Sequence, residues 1–165
     1  MKQSSTKKST LELSAFSGVV WRIMFADQLA NSCEPVGSPV GRFHHSKQVA
    51  LYTSCSEEGA SVAIQRYLKS DYAERIIVPL KVSADRIYDV RKTDFSKSAS
   101  AVWQDVVEKG ESAPTWQYSD AARLAGAQGM LYASRSRPDL SHLVLFNVSF
   151  GIVEQAGNAK AWVSG

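Results

Sequence analysis

The apolar residues of this chain follow a strand-like pattern near both ends and a helical period only between them. Strands precede, enclose and follow the helical stretches, with no regular strand–helix–strand alternation. That order favours an α+β fold over a doubly wound parallel sheet. A length of 165 residues fits one domain able to bury a core. With 44% hydrophobic and 21% charged residues, the chain is not a disordered one. Residues 1–12, rich in Ser, Thr and Lys, read as a flexible tail, and 13–165 as a single domain.

The run Gly18–Met24 (GVVWRIM) is β-branched and aromatic, as a strand requires. Residues 26–48 carry Asn, Ser, Pro and Gly throughout and predict a long loop, a feature that is often functional. A strand over Val49–Thr53 follows. Ala60, Ala63, Ile64, Tyr67 and Leu68 then fall on one helix face, with Ser54 and Glu57 spaced as a capping box. Arg75–Val82 predicts a strand whose Pro79 suits an edge or a bulge. A short extended piece at Ile87–Val90 is expected to pair beside it. Helices are expected over 99–108 and 119–127, the second ended by Gly126 or Gly129. Closing strands are expected at 130–133, 143–148 and 152–154.

Several function classes lack support. The net charge of +3 is small and scattered, so direct nucleic-acid binding is not expected; the rival reading would use Arg42, Lys47, Arg135 and Arg137. Cys33 and Cys55 are far apart and read as reduced thiols. No apolar run is long enough to span a bilayer and none follows the basic start as in a signal peptide, so the bacterial cytoplasm is expected, with no membrane partner. His44 and His45 are adjacent and His142 stands alone, so no metal site is expected. P-loop, dinucleotide-fingerprint and nucleophile-elbow motifs are absent.

Three features remain. Arg22 interrupts an apolar strand, on the face of Val20 and Met24, and needs solvent, a carboxylate or an anionic ligand. The basic loop of Arg42, His44, His45 and Lys47 feeds a strand ending in Tyr52, and suits a pyrophosphate with an aromatic ring beside it. The segment GMLYASRSRPD, residues 129–139, places Ser134 at a strand end beside Arg135 and Arg137. Each has a plain structural alternative: an outward arginine on an edge strand, a solvated loop over a core tyrosine, and a turn before Pro138.

Together VVWRIM, GRFHH with VALYTS, and GMLYASRSR before HLVLF resemble, in order and spacing, the RES domain, the toxin half of a class of bacterial toxin–antitoxin systems. The resemblance implies a fold similar to the catalytic core of ADP-ribosylating toxins, with mixed β-sheets around an NAD cleft. It implies NAD as substrate, cleaved at the nicotinamide–ribose bond, and no metal. Arg22 is expected to bind the pyrophosphate or adenosine ribose, Tyr52 to pack at the nicotinamide end, and Ser134 to meet the adjoining ribose. Arg42, His45 and Arg135 complete the expected NAD-binding set. Implied partners are an Xre-like helix-turn-helix antitoxin and a cellular protein that accepts ADP-ribose.

The chain departs from the family at one point. The family's glutamate falls on Ala63, and Glu58 is taken as the substitute carboxylate beside Arg22, Tyr52 and Ser134. Transfer of ADP-ribose to a protein ranks first. NAD hydrolysis or phosphorolysis, and an inactive RES-like binding module, remain as alternatives.

Overall fold

The β-branched stretches on either side of the first helix become the two longest strands. The computed structural model describes residues 11–68, 73–95 and 102–164. Among these, β1 (Leu13–Phe25), β2 (Leu51–Ser54), β3 (Arg75–Asp89), β4 (Gly129–Ala133), β5 (Ser141–Leu145), β6 (Val153–Gln155) and β7 (Lys160–Trp162) form one mixed sheet. The helices are α1 (Glu57–Ile64), α2 (Trp103–Glu108) and α3 (Trp116–Leu124). None is long and apolar enough to cross a membrane.

The sheet runs β1-β2-β5-β4-β3-β6, and β1 also pairs with β3, so its pairings close into a circuit. β1 and β3 are antiparallel from Leu13↔Tyr88 to Phe25↔Arg75. Only β3 and β4 run parallel among the described strands, joined by the long crossover that such a pair requires. Where several sheets were expected, this one sheet carries the cleft.

Alternation builds two cores. Val78, Leu80, Val82 and Ala84 of β3 face inward with Val20, Leu51, Leu143 and Leu145. The opposite face of β4 and β5 gives Met130, Tyr132 and Val144 to a second cluster, with Phe43, Phe95 and Ala122 of α3. Both faces of β4 and β5 are therefore covered, which explains their nearly continuous apolar sequences.

Several boundaries differ from expectation for local reasons. The first strand begins at Leu13, because β3 extends far enough to pair with it. Ile87–Asp89 is not a separate piece but the end of β3. Pro79 lies within the β1–β3 ladder opposite Trp21. Its carbonyl accepts from Ala156 N on the other edge, between the stretches paired with β7 and β6, where a missing N–H costs least. Ser54 does not cap α1. It stays in β2, paired with His142, and Ser56 accepts from Gly59 N at 2.9 Å instead. α1 stops at Ile64 and tightens into a 3₁₀ turn. The expected helix over 99–108 is seen as α2 from Trp103, its residues 99–101 lying outside those described, as do residues 1–10 of the tail. α3 ends before Gly126, whose φ of 86° makes it the stop. β7 was not anticipated; Trp162 in it donates to Ser61 Oγ at 2.9 Å and ties the chain end to α1.

Candidate active site

A cavity of about 560 Å³ opens beside β2, β4 and β5, within the range of small-molecule sites. β1 gives it Trp21 and Arg22, and α1 gives Ala60, Ala63 and Ile64. Alternation sets the rest: Tyr52 and Ser54 on β2, and Tyr132 with Ser134 at the end of β4, are two residues apart and share a face. Arg22, Arg42 and Arg135 are its cations, and no Asp or Glu lines it among the described residues.

Arg22 is half-buried and serves its own chain. Its Nη1 donates to the carbonyls of Ser32 at 2.8 Å and of Asn31 and Glu34 at 3.2 Å. It thereby closes the segment that follows the 3₁₀ helix Ala26–Asn31. Burial lowers its pKa, but a guanidinium begins so high that it stays charged.

Tyr52 holds the basic loop. His44 Nε2 lies 2.9 Å from the Ser38 carbonyl, which can only accept, so Nε2 carries the proton and Nδ1 is bare. Tyr52 O–H then donates to His44 Nδ1 at 2.8 Å while accepting from Phe43 N at 2.9 Å. Burial depresses the His44 pKa and raises that of Tyr52, so both groups stay neutral. Gly41 fits because it lacks a side chain: a Cβ there would lie 2.6 Å from His44 Nδ1 and 2.9 Å from Tyr52 OH.

α3 and its approach fix the loop from outside. Trp116 Nε1 donates to the Gly41 carbonyl at 2.8 Å and Thr115 Oγ1 to that of Arg42. Arg123 donates to the carbonyls of Phe43 and Val49 at 2.8 and 2.7 Å. These partners lie more than 70 residues from the loop and carry no local motif, so sequence reading missed them.

The expected residues divide. Arg22, Arg42, Tyr52, Ser134 and Arg135 line the cavity together. Arg42 also lies over the Tyr132, Phe43 and Phe95 rings. Ser134 is buried and its Oγ accepts from Arg137 N at 3.2 Å, while Arg135 is exposed at the mouth. His45 lies elsewhere, stacked on Trp116 at 4.4 Å and bound to Asp120 Oδ2 at 2.9 Å. Glu58 also stands outside the cavity lining, exposed and 3.2 Å from Arg137 Nη1. α1 begins at Glu57, so Glu58 lies in its first turn while Ala63, more than a turn later, faces the cleft without a carboxylate. Among the described residues no group of three or more His, Cys, Asp or Glu is placed to hold a metal.

Sequence reading also passed over Ser54 and His142. Ser54 Oγ lies 2.8 Å from His142 Nδ1 at the cavity floor. Burial first, then the Arg42 charge, depress the His142 pKa to about 4. Unfolded, the same histidine titrates near 6.5, so between these values the unfolded chain binds more protons. This contribution to stability is complete above about pH 6.5 and is lost as the pH falls through 4, amounting to about 3 kcal/mol. Chemical denaturation at pH 7 and pH 4 is expected to show that loss in the wild type and a smaller one in His142→Asn.

Comparison with curated proteins finds no match. Among solved structures, the crystal structure of the M. tuberculosis MbcT–MbcA toxin–antitoxin complex has a chain of similar fold. The TM-score is 0.66 at 17% identity, over 92% of this chain and 87% of that one. The RES domain family model matches residues 19–162, a span that contains every residue lining the cleft. With its sheet, its cleft and this match in agreement, the chain belongs to the RES-domain family.

Proposed function

We propose that this chain is the toxin of a toxin–antitoxin pair and cleaves the nicotinamide–ribose bond of NAD, passing ADP-ribose to a cellular protein. One observation carries the reading: a cavity of about 560 Å³ lined by three arginines and no acidic residue among those described. A pyrophosphate linking two nucleosides suits such a lining, because guanidinium groups bind phosphate oxygens through paired, charge-assisted hydrogen bonds. The neutral His44 and His142 add hydrogen-bonding groups without changing the charge near pH 7. The similarity of fold to a chain from a toxin–antitoxin complex supports the family's antitoxin partner, an Xre-like helix-turn-helix protein. An ADP-ribosyltransferase-like core is the corresponding reading of the fold.

In this account Arg42 and Arg22 hold the phosphates, Tyr52 and Tyr132 wall the cavity, and Ser134 hydrogen-bonds a ribose hydroxyl. Bond cleavage places positive charge on the ribose, as in glycoside hydrolysis. Transfer ranks above hydrolysis because Arg135 is exposed at the mouth, where an acidic acceptor surface would meet it. Arg137 contributes less, being paired with Asp139 at 2.8 Å and with Glu58. Incubation with adenine-labelled NAD and bacterial extract is expected to label a protein band. Loss of NAD with no labelled protein would instead establish a glycohydrolase or phosphorylase.

A further inference from the structure

One row of side chains crosses four strands at the cavity floor. Trp21 on β1 is opposite Ser54 on β2, Ser54 is opposite His142 on β5, and His142 is opposite Tyr132 on β4. All four line the cavity. Ser54 and His142 are 3% and 5% exposed, so their 2.8 Å contact is shielded from bulk water. In the neutral tautomer that carries its proton on Nε2, His142 accepts from Ser54 at Nδ1, and Ser54 keeps its oxygen lone pairs to accept another hydrogen bond.

Several other polar side chains of the lining already hold partners. The Tyr52 hydroxyl is held between Phe43 N and His44, and His44 between Tyr52 and the Ser38 carbonyl. Thr53 Oγ1 donates to the Leu143 carbonyl, and Ser134 Oγ accepts from Arg137 N. No carboxylate lines the cavity among the described residues. The Ser54–His142 pair is a buried hydroxyl joined to a base, the arrangement that proton transfer requires.

We propose that Ser54 is a catalytic residue that receives the proton of the acceptor, and that His142 positions Ser54 and takes its proton in turn; this rests on the NAD reading above. The acceptor oxygen, of water or of a protein hydroxyl, bonds to ribose C1′ as the C1′–N bond breaks. The bonding pair moves to the ring nitrogen, so the pyridinium leaves as neutral nicotinamide. The acceptor's proton passes to Ser54 Oγ while Ser54's own proton passes to His142 Nδ1, and solvent then takes it from the imidazolium. An oxygen newly bonded to a cationic carbon is a far stronger acid than imidazolium, so a weak base in this position suffices.

The test is steady-state nicotinamide release by the full chain and its Ser54→Ala, Ser54→Thr, His142→Asn and double Ser54→Ala/His142→Asn variants, with NAD affinity measured by calorimetry. Ser54→Ala and His142→Asn are each expected to lower kcat about 100-fold, with NAD affinity retained. The double variant is expected to be no worse than the poorer single, as for groups acting as a unit. Ser54→Thr keeps the hydroxyl and is expected to recover most of kcat. Asparagine keeps a hydrogen bond to Ser54 but takes no proton, so wild-type kcat in His142→Asn overturns the proposal. Wild-type kcat in Ser54→Ala, or a loss confined to KM, overturns it as well. A wild-type chain that releases no nicotinamide, either alone or with bacterial extract, overturns the NAD reading and this proposal together.

Discussion

Replacing Arg22 with alanine is expected to lower the unfolding free energy by about 3 kcal/mol, because one charged donor serves three carbonyls. The carbonyls of Asn31, Ser32 and Glu34 lose that donor together, and the segment leading into the Arg42 loop loses its anchor to β1. For a chain of this size the loss corresponds to a fall in Tm of roughly 10 °C. Arg22→Lys is expected to recover only a minor part, since an ammonium is a point charge on a flexible stem and lacks the planar fork of a guanidinium. Thermal unfolding of both variants checks this. A change in Arg22→Ala below about 0.5 kcal/mol, the usual range for surface substitutions, would mean that the three contacts carry no weight. Because Arg22 supports the loop, loss of NAD turnover in its alanine variant does not by itself identify a phosphate ligand.

Arg42→Met separates those roles better. Methionine keeps an unbranched stem against the Phe43, Phe95 and Tyr132 rings that the guanidinium lies over, and removes only the charge and its donors. Loss of a charge-assisted phosphate contact costs about 1.5–3 kcal/mol, so NAD affinity is expected to fall roughly 10- to 100-fold. The same substitution removes a positive charge that helps depress His142, whose pKa should rise from about 4 toward its ordinary value. Calorimetry reads the first effect and a histidine titration by NMR the second. Unchanged NAD affinity would place the phosphates elsewhere, and an unmoved His142 would remove Arg42 from its surroundings.

Strand-borne features were legible in the sequence where a short segment carried its own signal. GVVWRIM, RIIVPLKV and GMLYA announce β1, β3 and β4 through β-branched and apolar runs. Gly126 marks the end of α3 because only a positive φ fits there. Contacts between distant segments were not legible. His45 reads as part of a basic loop, yet Asp120, 75 residues away, draws it out of the cleft and onto Trp116. Glu58 reads as the nearest acidic residue, but helical geometry points Ala63 inward and leaves Glu58 beside Arg137. Ser54 fits a capping pattern until the β2–β5 register is known, and that register gives His142 its partner. The arginines were recognisable because a charge in an apolar strand or beside a strand end demands an explanation. Arg22 has turned out to have two claims on it, one from the carbonyls it binds and one from the cavity it lines.

The most direct test of the NAD assignment follows NAD and nicotinamide together, by chromatography, during incubation with the purified wild-type chain and with Arg42→Met. NAD is expected to disappear with an equal amount of nicotinamide formed, given the acceptor protein or water, and the rate at limiting NAD to fall roughly 10- to 100-fold in the variant. Intact NAD after incubation with the wild-type chain, both alone and with bacterial extract, would contradict it.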